Sequence, residues 1–150
     1  MVEKILTFTD STNASFAGFP ADATDAATNW GTVITTLFSG MSIPKTSTVI
    51  LELCEPFFVS TFLTSLAAGA GAVGFNLGLD AYATELALLV VSAGFATVCV
   101  PPPPGTLLLE LTLDTNTTDA TVAAEKFAQR VREWAQTGTV TLGTAPGFWT

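Results

Sequence analysis

Few residues in this chain can do chemistry, and their spacing narrows what that chemistry could be. There is no histidine, which removes any imidazole base, His-based triad or imidazole metal site. Neither G-x-S-x-G nor Ser-x-x-Lys occurs, and the 25 threonines have no base placed to activate them. Cys54 and Cys99 each lie near the end of an apolar run, VILELC and FATVCV, without a neighbouring cation. Such thiols behave as small buried hydrophobes, with a disulfide between neighbouring strands as the alternative. Glu52 and Glu55 bracket Cys54, and Glu110 stands apart. Paired acids can move protons or hold a hard cation, but no set of turn ligands accompanies these, so they read as solvated charges. Asp10, Asp22 and Asp25 lie in or beside a Ser/Thr/Asn-rich loop without the D-x-D-x-D-G order of a calcium loop, so they read as turn and cap residues.

GAGAVG at 69–74 has the G-x-G-x-x-G spacing. A dinucleotide site needs a strand before that motif and a helix after it. The surrounding pattern predicts the reverse order, and Asp80 is too close to serve as the ribose-binding acid, so the glycines read as a turn. Asn13-Ala14-Ser15 and Asn116-Thr117-Thr118 fit the glycosylation triplet, which is common by chance in a Thr-rich chain. No catalytic residue, cofactor or metal site is assigned.

Charge narrows the partners. Five Lys and Arg against 13 Asp and Glu leave a net charge of −8, which opposes a phosphate backbone and excludes nucleic acid as the expected partner. The opening MVEKILTFTD carries Glu3 and has no apolar run long enough for a signal peptide. Residues 56–79 are uncharged and long enough to span a bilayer. Their flanks, however, are Glu52, Glu55 and Asp80 with no cation to orient them, and the apolar pattern changes period halfway. The second apolar run, 86–100, ends at four prolines. The expectation is therefore no membrane.

The elements that would position these residues follow from periodicity. Residues 4–9 alternate as a strand, and 10–21 form a loop. A helix is predicted at about 22–39, where Trp30, Val33, Ile34, Leu37 and Phe38 share a face. Asp22, Thr24 or Asp25 would cap its start and Gly40 its end. Residues 46–54 read as a strand. Pro56 reads as the first residue of a helix to 66–68, followed by a strand at 72–79. The stretch 83–100 reads as a hairpin turning at 92–94, with a short helix followed by a strand as the alternative. PPPPG at 101–105 is a stiff link to a strand at 106–113. A second strong helix at about 119–136 carries Phe127, Val131 and Trp134 toward the leucines of that strand, and TVTL at 139–142 closes the set. The expected fold is one α+β domain over 1–150. It has a mainly antiparallel sheet with the two principal helices on one face, and a ferredoxin-like βαββαβ order over 72–142 is its variant.

What remains is surface character. Charged residues are only 12% of the chain, and hydrophobic ones are 49%. Surfaces made of threonine and alanine bury with little loss of side-chain entropy. The small-residue face Ala72, Gly74, Asn76 and Gly78 and the tail aromatics Phe148 and Trp149 are the expected interaction sites. The expected role is a non-enzymatic structural protein of a large symmetric assembly, most simply a bacteriophage virion component such as a head decoration or tail protein. It would bind itself as a homo-oligomer and other capsid or tail proteins. The place expected for it is the virion, or otherwise the cytoplasm. The alternative is a small α+β module that binds a small molecule or peptide.

Overall fold

The computed structural model describes residues 22–42, 44–104 and 120–150. Among these are four helices: α1 (Ala23–Ser39), α2 (Thr48–Ala67), α3 (Gly71–Ser92) and α4 (Ala120–Ala135). Three short strands, β1 (Val98–Val100), β2 (Thr139–Leu142) and β3 (Ala145–Phe148), form one antiparallel sheet in that order. The α+β expectation, with a dominant sheet or a ferredoxin-like order, is therefore corrected: about two thirds of the described residues are helical and the sheet is a small appendage.

The two helices predicted from an amphipathic face are present. Asp22 caps α1 by accepting the Asp25 backbone N–H at 2.9 Å, and Gly40 follows its end. Val33, Ile34, Leu37 and Phe38 are all buried. Helix α4 stops before Gly138 and buries Ala128, Val131 and Ala135. The strand at 139–142 also forms where predicted. The predicted strands at 4–9 and 106–113, and with them the predicted seat of Phe127 and Trp134, lie outside the described residues. Within them, Phe127 packs on Trp30 and Phe75, with ring centroids 5.2 and 5.8 Å apart.

The middle of the chain differs most. Residues 48–54, predicted as a strand, open α2, where Ser47 caps the helix by accepting the Ile50 N–H at 3.3 Å. Pro56, predicted as a first helical residue, lies inside α2, where it cannot donate the N–H that the Glu52 carbonyl would otherwise accept. Residues 72–79, predicted as a strand, are the first part of α3, which continues through 83–92. β1 then follows, so the helix-then-strand alternative is the one adopted and the hairpin at 92–94 is not.

Between α2 and α3 the chain turns through Ala68, Gly69 and Ala70. Gly69 has a φ of 74° that other residues rarely adopt. Its N–H reaches the Leu66 carbonyl at 3.0 Å, and the Ala70 N–H reaches the Ser65 carbonyl at 2.9 Å, closing the helix end. The two helices return against each other as an antiparallel hairpin. Their seam is close because α3 presents glycine to it: a β-carbon on Gly74 would stand 2.1 Å from Ser65 Cβ, and one on Gly78 2.9 Å from the Phe58 ring. Gly31 of α1 is as close to Val59 of α2, at 2.6 Å. Aromatic rings fill the space that the backbones leave. Phe58, Phe62 and Phe75 meet at 5.4–5.6 Å, and Phe38 bridges Tyr82 at 4.9 Å and Trp149 at 6.4 Å.

Gly74→Leu is expected to lower stability by about 1–3 kcal/mol or more, because Ser65 and the α2 backbone must move. A urea midpoint that does not fall would show that the seam is looser than this. Trp149→Ala is expected to cost about 3–5 kcal/mol by emptying a fully buried site, against under about 1 kcal/mol if the ring were at the surface.

Candidate functional site

The polar groups inside the helical layer bind the helices to one another. Glu55 of α2 accepts hydrogen bonds from the Thr32 and Thr35 hydroxyls of α1 at 3.3 and 3.1 Å. Tyr82 of α3, fully buried, donates its phenolic O–H to the Leu51 carbonyl of α2 at 3.3 Å. Cys54 is fully buried beside them. Burial, and then the charge of Glu85, push its thiol from 9.0 up to about 12. Burial likewise pushes the Tyr82 phenol well above its usual range and the Cys99 thiol up to about 11. Both cysteines are free. A thiol held neutral in this way is a poor nucleophile, and none of Cys54, Glu55 and Tyr82 lines the cleft between α1 and α4. Among the described residues, no group of three metal-ligating side chains converges.

A cleft of about 330 Å³ lies between the end of α1 and α4, lined chiefly by Leu37, Phe38, Met41, Val131, Arg132 and Thr150. Much of that space is open to solvent and only about 30 Å³ is enclosed, far below the several hundred Å³ of a small-molecule site, and its lining is mainly apolar.

The residues expected to form an interaction face do not share one. Ala72, Gly74, Asn76 and Gly78 lie on helix α3, where residues two apart point in different directions. Gly74 and Gly78 are enclosed in the α2–α3 seam. Asn76 is half-buried, and its Oδ1 is shielded from solvent with no hydrogen-bond partner among the described residues. The two tail aromatics separate as well. Trp149 is fully buried against Gly138 and donates Nε1–H to the Thr139 carbonyl at 3.3 Å, whereas Phe148 is 65% exposed. The G-x-G-x-x-G run is a helix–turn–helix connection, with a helix where a dinucleotide site needs a strand.

The surface that the sequence reading missed lies on the outside of the hairpin. Val49, Leu53 and Phe57 form an exposed stripe along α2, and Val73, Leu77, Leu88 and Val91 form one along α3. On α2, Phe58 and Ser65 face α3 while Val59 faces α1, so its stripe lies on the remaining side. On α3 the stripe lies opposite Phe75, Leu79 and Leu86 of the core. At 100° per residue both stripes fall on the side of the hairpin turned away from α1 and the aromatic core. Of the most apolar stretch of α2 only 28% is buried, against 50% for α3. Spacings of four within 49–57 and 73–77 were the available signal, masked by the strand-like composition around them.

Both helices are long and apolar enough to cross a membrane. Four acids, Glu52, Glu55, Asp80 and Glu85, lie within them, and no lysine or arginine does. An acid near the centre of a spanning helix costs about 2.5–3.5 kcal/mol, and Asp80 is close to the middle of α3. α1 also covers one side of the hairpin. These observations favour protein over lipid against the outer face. No known protein family, curated protein or solved structure matches this chain.

The buried thiol sets an alkaline limit. Folded, Cys54 keeps its proton to about pH 12, while unfolded it loses it near 9.0. The unfolded chain thus binds fewer protons in that window, and stability falls as pH rises through it, by up to about 1.4 kcal/mol per pH unit for each proton withheld. Urea midpoints are expected to decline above about pH 9, and to decline less steeply in Cys54→Ala. A flat profile there would show the thiol to be solvated.

Proposed function

We propose that this chain is a non-enzymatic structural protein that works through protein–protein contact in a large symmetric assembly, of which a virion coat is the instance its composition suits best. The apolar face of the α2–α3 hairpin, exposed among the described residues, carries this reading. Seven large aliphatic or aromatic side chains on it are between 38% and 64% exposed, and a contiguous apolar surface of that extent marks an interaction site in a soluble domain. The surrounding surface supports the same role, since it is rich in threonine and alanine and poor in lysine. Glu55 and Tyr82, by contrast, tie α1, α2 and α3 together.

The second reading is a module that takes a small apolar ligand, with the shallow cleft beside Arg132 as the place where it would bind. The two readings separate in solution. Electron micrographs of the purified chain, concentrated to about 200 µM, are expected to show particles of uniform size or regular lattices. A chain that stays dispersed as monomers or dimers, and whose melting temperature rises with an apolar carboxylate, would overturn the assembly reading in favour of the ligand module.

A further inference from the structure

We infer that the outer face of the α2–α3 hairpin is covered by the same face of a second copy of this chain, so that two hairpins close into a four-helix layer about a two-fold axis. The inference rests on the assembly reading and names its first contact.

Three observations select a second copy. The first is area. The seven exposed side chains of the two stripes present on the order of 700 Å² of surface, and with Ser60, Thr64 and Thr84 between them the face reaches the roughly 800 Å² that each partner gives to a stable interface. The second is charge. The face has no cation: Glu52 borders the α2 stripe, and Asp80, about 20° from Val73 and Val91 around the helix, lies at the outer edge of the α3 stripe. A lipid surface with anionic headgroups would repel these acids, whereas in a two-fold contact an acid at the edge stays in the solvated rim while the apolar side chains meet. The third is shape. The stripes run along both helices of an antiparallel pair whose backbones already approach closely at Gly74 and Gly78. Such a pair is a flat two-helix layer, and two of these layers pack face to face as a four-helix bundle. A two-fold contact needs only one patch that complements itself. Leu53 and Phe57 on α2 and Leu77 and Leu88 on α3 are the anchors expected in its centre.

Like charges at the border give the dimer a signature that a basic partner would not share. Each copy carries −8, so salt should screen repulsion and strengthen self-association. A contact with a cationic protein would weaken instead.

Sedimentation equilibrium of the full chain tests this. At about 20 µM the mass is expected to be twice 15.6 kDa, and the dimer should tighten as sodium chloride is raised. Leu53→Glu and Leu77→Glu, both at exposed positions, are each expected to raise the dimer Kd by about a hundredfold or more. Far-ultraviolet circular dichroism and the urea midpoint of the monomer should not change. Thr144→Glu, in the exposed β2–β3 turn, should leave the dimer intact. A wild-type chain that is monomeric at about 200 µM overturns the inference. So does a dimer that survives both glutamates. Cosedimentation with phosphatidylcholine vesicles that is lost in Leu53→Glu overturns it too, by assigning the face to lipid. Regular particles that form unchanged from Leu53→Glu would remove this contact while leaving the assembly reading standing. Dimers that form without particles would do the opposite.

Discussion

The close approach of two helix backbones is the constraint on which this fold depends. Helix α3 reaches α2 only because Gly74 and Gly78 offer hydrogen where any other residue would place carbon into Ser65 and Phe58. Because the backbones are near, Phe58, Phe62 and Phe75 can interlock beside the seam, and the Tyr82 hydroxyl can reach the Leu51 carbonyl. Helix α1 meets α2 by the same device at Gly31, and the Thr32 and Thr35 bonds to Glu55 add directional contacts at that junction. Glycine lowers helix propensity by about 1 kcal/mol per residue. The hairpin tolerates that cost because dispersion and burial along the seam grow steeply as the separation falls.

That closeness also decides where the apolar side chains go. A helix pair with glycine between its members needs little side-chain bulk in the seam, so the large residues are left for the two broad faces. One broad face receives α1, α4 and the aromatic core. The other has nothing of the described chain against it. Apolar residues all round a helix normally mean burial on every side, and α2 has that composition while its side away from α1 and α3 is exposed. The acids at 52, 55, 80 and 85 and the absence of cations keep this hairpin from resembling an oriented membrane span.

Which parts of this were legible in the sequence follows from the periods involved. Helices α1 and α4 have one apolar face and one polar face, so their spacing showed them to within about two residues of the observed ends. The segment 72–79 shows why the centre was not legible. Its alternation places Val73, Phe75, Leu77 and Leu79 two apart, as a strand would. Four is a multiple of two, so a short helix with distinct pairs at i and i+4 gives the same pattern. On the helix the pair 75/79 is buried and the pair 73/77 faces outward, and the glycines at 74 and 78 form a third pair facing α2. In 46–54, β-branched residues suggested a strand where the capping serine at 47 and the length of the run to Ala67 favour a helix. Trp149, expected with Phe148 at an interaction surface, is instead fully buried. The sequence offered no sign of Gly138, against which the ring lies, as its seat.

The uneven placement of cations has a consequence for how this molecule can be handled chemically. From Thr46 to Glu125 there is no lysine or arginine, a span that contains α2, α3 and β1. Trypsin has no site anywhere in it, so the whole hairpin is released as one peptide whether it was folded or not when the enzyme arrived. Reagents and conjugating enzymes that need a primary amine likewise find none there. Lys45, exposed just ahead of α2, and Lys126 in α4 bracket the stretch. The apolar hairpin thus lies beyond the reach of amine- and trypsin-based probes, and acid-directed reagents or chymotrypsin-like cleavage at its phenylalanines are the means that report on it.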